Sequence, residues 1–212
     1  MRTMLIAIDG PAASGKGTLG KRLADHLGFA HLDTGLLYRA VAAVLLNEGI
    51  PLSDREAAAQ AAENLDVAHL DGPDLRGAAM GEAASVISAY QPVRDALLAF
   101  QRQFGSELPG AVLDGRDIGT VVCPNADVKL FITATPEERA RRRHLELLRR
   151  GEDVAYTSIL ADIRRRDERD MTRATAPLKA APDAITLDTT ALDADGAFLA
   201  ALAIVEKKRS KT

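Results

Sequence analysis

Apolar positions along the chain alternate between two periods, one of strands and one of helices. Met4-Leu5-Ile6-Ala7-Ile8 is an unbroken apolar run, the pattern of a strand buried on both faces. After a glycine-rich turn, Leu19, Leu23 and Leu27 recur at helical spacing, and Gly28 ends that helix. Residues 29–32 read as a second strand ending at Asp33, and 36–48 as a helix stopped by Gly49 and Pro51. Ser53, with Glu56 three positions on, predicts a capping box for the next helix. Residues 69–81, with Gly72-Pro73 and two further glycines, read as a loop or short hairpin. Helical pattern resumes over 82–89 and 93–104, on either side of Pro92. Strands at 111–113, ending at Asp114, and at 128–132 come next. Thr135-Pro136-Glu137-Glu138 then opens a helix, with proline at its first position. Two arginine-rich helical stretches broken by Gly151, a strand at 184–187 and a helix from Ala194 complete the chain.

Five strands alternating with helices predict an α/β fold, a five-stranded parallel sheet flanked by helices. The core comprises 1–37, 111–150 and 172–212, interrupted by a helical insertion at 38–110 and a short arginine-rich lid at 151–171. Two appendages on one core suggest parts that close over a ligand. The single cysteine, Cys123, excludes an internal disulfide framework and fits a reducing compartment. The first apolar run stops at Asp9, so it does not resemble a secretion signal. The last, 197–205, falls short of the ~20 residues that span a bilayer. These features predict a cytoplasmic protein with no membrane partner, and a monomer is the expected state. A net charge of -3 supplies no overall pull toward nucleic acid, so any anion site must be local.

One local site is explicit. Gly10-Pro11-Ala12-Ala13-Ser14-Gly15-Lys16-Gly17-Thr18 lies between the first strand and the first helix, with the spacing of a phosphate-binding P-loop. Gly10 and Gly15 let the backbone curl so that several amides face one anion. The helix N-terminus adds roughly half a positive charge there. Lys16 brings a mobile ammonium to the terminal phosphates. Gly17 stands where the general motif has Ser or Thr, so Thr18 reaches Mg²⁺ either directly or through water. Asp114, closing a hydrophobic strand, is the candidate to hold a magnesium-bound water, or else a helix cap or a surface carboxylate.

Arg139 to Arg173 contains eleven arginines and no lysine. Most read as a solvated helix face, with Glu146, Asp162, Asp167 and Glu168 near enough to pair. A few have a sharper use. Two nucleotides meeting phosphate to phosphate repel by about 4 kcal/mol per charge pair at 4 Å, which planar guanidinium groups offset.

Three further motifs narrow the reading: Asp33-Thr34-Gly35-Leu36-Leu37-Tyr38-Arg39, Asp114-Gly115-Arg116-Asp117-Ile118-Gly119-Thr120-Val121-Val122, and 166–178. With the phosphate loop they stand in the order of the bacterial cytidylate kinases, which the sequence resembles over essentially its whole length. The resemblance implies an ATP- and Mg²⁺-dependent enzyme phosphorylating CMP and dCMP. It implies that Thr34, Arg39 and Arg116 hold the acceptor phosphate, and that Ser85, Arg94 and Asp117 line the cytosine edge. Asp170 would meet the sugar hydroxyl, while Arg166 and Arg173 clamp phosphates. Lys16, Arg116, Arg166 and Arg173 would then be the catalytic set. The sequence departs from that family between 66 and 81, where it is abridged. A cytosine presents an amino donor where uracil presents an acceptor, so a carboxylate beside a guanidinium prefers cytosine.

Transfer between phosphates needs positioning and charge stabilisation rather than a general base. His26, His31, His69 and His144 therefore read as surface or packing residues. Two competing readings remain from the residues alone. One is a kinase on the same core acting on AMP, UMP or a metabolite hydroxyl, with Asp33 as base. The other is a nucleic-acid-binding protein using the arginine stretch, against which stand the net charge and only 4% aromatic residues.

Overall fold

The computed structural model describes residues 3–67, 70, 72, 75 and 77–210. Strands β1 (Met4–Asp9), β2 (Ala30–Asp33), β3 (Gly110–Gly115), β4 (Val128–Thr133) and β5 (Ile185–Asp188) form one sheet in the order β2-β3-β1-β4-β5. All four neighbouring pairs are parallel, with Met4 opposite Gly110 and Ile6 opposite Val128. Strand side chains divide by the pleat. Ile6, Ile8, Val112, Val128, Leu130 and Ile132 pack under α1 (Lys16–Leu27) and α8 (Ala194–Arg209). Ala7, Ala111 and Leu113 face the other layer, which holds α2 (Thr34–Asn47), α3 (Arg55–Glu63), α4 (Ala78–Ile87) and α5 (Gln91–Phe104). Each fully buried Leu or Ile contributes roughly 1.5–3 kcal/mol to holding these layers together.

Two helices, α6 (Pro136–Arg149) and α7 (Tyr156–Thr172), form a third cluster around Ala140, Leu147, Ile159 and Ile163, against which Ala13 packs. Thr135 caps α6 by accepting from the Glu138 amide, as the sequence predicts. The expected capping box at Ser53 is not used. Asp54 caps α3 instead, its carboxylate accepting from the Ala57 amide at 3.0 Å. Aspartate one residue nearer the apolar repeat serves the same orphan amides as well as serine would.

Helix α4 begins at Ala78, four residues before the predicted start, and runs through Gly81. Its predecessor loop falls partly outside the described residues, His69 included. Pro92 lies inside the first turn of α5 rather than before it, where its missing N–H has no helical partner to lose. One wide turn of π-helix, Ile118–Val122, follows β3; apolar periodicity gives no sign of it. No helix among the described residues is long and apolar enough to cross a membrane.

Strand β1 is central. Its crossover leads to β2 on one side, while β4 and β5 extend the other. Open parallel sheets bind ligands outside the carboxyl ends of their strands at such a reversal, and the glycine-rich loop lies there.

Candidate active site

Gly10 passes β4 so closely that a Cβ there would lie 2.1 Å from the Ile132 carbonyl oxygen. Ala13 (φ 58) and Gly15 (φ 87) adopt left-handed backbone, the geometry that turns successive amides toward one concavity. Helix α1 starts at Lys16, so its N-terminus opens at the same spot. Lys16 is buried and donates to the Pro11 carbonyl at 3.2 Å. Burial, with Arg116 and Arg166 nearby, draws its pKa down to about 7. The Ser14 hydroxyl is buried with no partner. The Lys16 ammonium thus folds back onto the loop, and Ala12, Ala13, Gly15, Gly17 and Thr18 border a cleft of about 950 Å³.

Asp33 and Asp114 converge beside the loop. A methyl group placed on Gly17 would sit 3.8 Å from Asp33 Oδ2 and 3.8 Å from Asp114 Oδ1. Asp33 Oδ1 caps α2 through the Gly35 amide. Asp114 is fully enclosed, and burial together with the Asp33 carboxylate raises its pKa. His31 Nε2 lies 2.9 Å from Asp114 Oδ2 and opposes that rise, giving this histidine a place in the site. Such a pair suits a divalent cation held largely through water, which relieves like-charge repulsion and needs no protein cage. No cluster of three or more metal-ligating side chains occurs among the described residues. Thr18 is exposed on the rim of the same cleft.

Across the cleft, three guanidinium groups meet. Arg39 uses one N–H on the Leu75 carbonyl at 3.1 Å, and burial lowers its pKa. Arg116 donates to Asp170 at 2.8 Å and to the Gly115 carbonyl. Arg166 has a buried Nε without a partner. Its pKa falls to about 10, first through burial and then through Arg116 and Arg39. The Thr34 hydroxyl donates to the Asp114 carbonyl at 2.8 Å, so its proton is already engaged. As a positioning contact it ties the start of α2 to the end of β3.

Beyond these lies a buried polar cluster. Arg94 donates to Asp117 and to the Ser88 carbonyl. Arg173 lies 3.7 Å from Asp117 and donates to the Ala176 carbonyl and the Ser88 hydroxyl. Burial raises the pKa of Asp117 against the pull of Arg94 and Arg173. Asp170 accepts from Ser85 at 3.3 Å as well as from Arg116. Burial pushes its carboxyl upward, but Arg116, Arg166 and Arg173 outweigh that and hold it below the usual range. Arg173 thus belongs with Asp117 and Arg94, whereas Arg166 belongs with Arg116 and Arg39. Tyr38, one helical turn beyond Thr34, places its buried ring 5.8 Å from the Arg94 guanidinium. Tyr38 lies within the Asp33–Arg39 motif, but nothing local in the sequence singles it out as a site residue.

The arginine stretch separates as its composition suggests. Arg139, Arg141, Arg142, Arg143, Arg150, Arg164, Arg165, Arg169 and Arg173 each face a carboxylate within 4.0 Å. Arg139 is the unforeseen member. It is buried and donates to the Ala12 and Ala134 carbonyls while gripping Asp167 of α7 with both nitrogens. Nothing local in the sequence separates it from its solvated neighbours.

A phosphate loop at the centre of a parallel sheet, faced by a cluster of buried cations, is the frame of the P-loop phosphotransferases. Within that class, the family model for cytidylate kinase matches residues 6–207. A cytidylate kinase of Xanthobacter autotrophicus is 63% identical over 207 residues, covering 98% of this chain and 99% of its own. That of Nitrobacter winogradskyi is 60% identical over 209 residues, 99% of each chain. The chain belongs to the cytidylate kinase family. Among solved structures, a gluconokinase from Sinorhizobium meliloti superposes with a TM-score of 0.53 at 15% identity, covering 97% of this chain and 93% of that one. That likeness speaks for the fold alone.

Proposed function

We propose that this protein transfers the γ-phosphoryl group of Mg-ATP to CMP and dCMP, giving ADP and the diphosphate, by direct in-line displacement. The observation that carries the reading is the convergence of Lys16, Arg39, Arg116 and Arg166 in one cleft. Each of Lys16, Arg39 and Arg166 has its pKa depressed chiefly by burial, aggravated by the neighbouring cations. Such an arrangement costs folding energy and is relieved by anions.

In this reading the loop 10–18 and Lys16 seat the donor phosphates. Arg39 and Arg116 hold the acceptor phosphate, and Arg166 spans the two. Asp117 accepts from the cytosine amino group while Arg94 donates to the ring, with Ser85 on the same edge. Asp170 orients the sugar, and Arg173 anchors Asp117 and steadies phosphate charge. Thr18 and Asp114 would hold Mg²⁺, Asp114 through water. That ion, when bound, neutralises charge developing between the donor phosphates. No side chain removes a proton, because the acceptor oxygen is anionic near neutral pH. Orientation alone supplies an effective molarity of about 10⁵ M or more. Helix α7 covers the cleft and keeps water from the γ-phosphoryl group. The enzyme acts as a cytoplasmic monomer.

The test is ADP release from Mg-ATP with CMP, dCMP, UMP and AMP supplied separately. CMP and dCMP should support turnover at least about tenfold above the others, the discrimination that one bidentate base contact provides. Equal rates with UMP would remove the cytosine-edge assignment, and turnover with a sugar alone would replace the acceptor class.

A further inference from the structure

Asp9 is a buried carboxylate, 4% exposed, that the proposed chemistry does not use. It closes β1 directly before Gly10. Its Oδ1 accepts from the Ile118 amide at 2.7 Å, and its Oδ2 from the Gly119 amide at 2.8 Å. Those amides open the π-helical turn that directly follows Arg116 and Asp117. The first amides of any helical turn lack partners within it, so a carboxylate that takes two of them fixes where the turn sits. Asp9 therefore joins the two motifs: Gly10 follows it in the chain, and Asp117 immediately precedes its first hydrogen-bond partner.

We infer that Asp9 is a positioning residue for acceptor selection, holding the turn that carries Arg116 and Asp117 in fixed register with the phosphate loop. The base-edge carboxylate and the donor phosphates thereby share one frame. The inference rests on the assignment of Asp117 to the cytosine edge. The joint is tight: a methyl group on Gly119 would lie 3.3 Å from Asp9 Oδ2 and 3.1 Å from Lys129 Cδ. Lys129 itself is tethered away, donating to the Pro124 carbonyl and Asp183. The other charged or titratable groups acting on Asp9 are Asp117, Lys16 and Cys123. Burial, opposed by the two amides, pushes its pKa up to about 6, so it is ionised and doubly accepting at neutral pH.

Asp9→Asn preserves size and one acceptor but turns an N–H against an N–H. It should raise KM for CMP about tenfold and lower the CMP-over-UMP ratio of kcat/KM about tenfold, as sub-ångström to ångström displacement of a binding group does. KM for ATP should stay within about twofold. Gly119→Ala presses on the same joint while keeping the carboxylate, and should move the ratio in the same direction. It decides the matter if Asp9→Asn does not fold. An unchanged ratio in the folded variants, or equal rises in both KM values, would overturn the inference. Asp117→Asn runs in parallel. If it leaves the ratio unaltered, the base-edge reading falls and this inference with it. If it erodes the ratio while Asp9→Asn and Gly119→Ala do not, the role of Asp9 alone is refuted.

Discussion

At Lys16 the protein holds an amine whose burial favours the neutral form, with a pKa of about 7, where a triphosphate favours the ammonium. Binding above that pH must therefore draw a proton from solvent. Calorimetry of Mg-ATP binding at pH 8, in buffers of different ionisation enthalpy, should show uptake approaching one proton, with affinity falling as pH rises further. Heats independent of the buffer would contradict this. The sign for folding is opposite to that of an ordinary salt bridge. The depressed pKa costs stability below pH 7, and the cost is relieved as pH rises from there toward 10.5. Lys16→Met should accordingly fold at least as stably while turnover falls by about 10²–10³-fold or more.

At the scale of elements, Arg139 joins α6, the phosphate loop and α7 through Ala134, Ala12 and Asp167. Arg139→Met leaves Asp167 without its partner in a half-closed environment. It should cost about 3–5 kcal/mol in urea unfolding, and the double variant Arg139→Met with Asp167→Leu should recover much of that loss. An additive result in the double variant would show that the pair is not coupled. Most elements were legible because their signals are local. Apolar runs mark the strands, Thr135-Pro136 marks a cap, and the spacing of Gly10, Gly15 and Lys16 marks the loop. The unpredicted features depend on contacts distant in sequence. The π-helical turn is held by Asp9, 109 residues earlier than Ile118, and the grip of Arg139 on Ala12 spans 127 positions. Asp54 displaced Ser53 because two adjacent capping residues compete and only the backbone angle decides between them. The site residues were brought together largely as the four motifs suggest. Their grouping was not readable, since only the fold separates Arg166 from Arg173.

For the molecule as a whole, α7 and α4 are already fastened to each other. Glu82 pairs with Arg169 at 2.5 Å, Ser85 with Asp170, and Ser88 with Arg173. This closure buries Arg166 among like charges, which draws its pKa down to about 10 and corresponds to about 3 kcal/mol of destabilisation. Arg166→Met should then melt several degrees higher, at roughly 2–4 °C per kcal/mol for a chain of this size. Its turnover should fall about 10²-fold or more, and differential scanning calorimetry with a coupled assay checks both. A variant that is both less stable and less active would contradict the account.

The unsatisfied Ser14 hydroxyl and Arg166 Nε have a wider meaning. Buried polar atoms without partners cost stability, and the phosphate oxygens of nucleotides bound as proposed would relieve that cost. Saturation at a hundredfold over Kd adds about 2.7 kcal/mol, comparable to a disulfide. Resistance to heat and to proteases should therefore rise with nucleotide concentration, which melting and limited proteolysis with and without nucleotide would check.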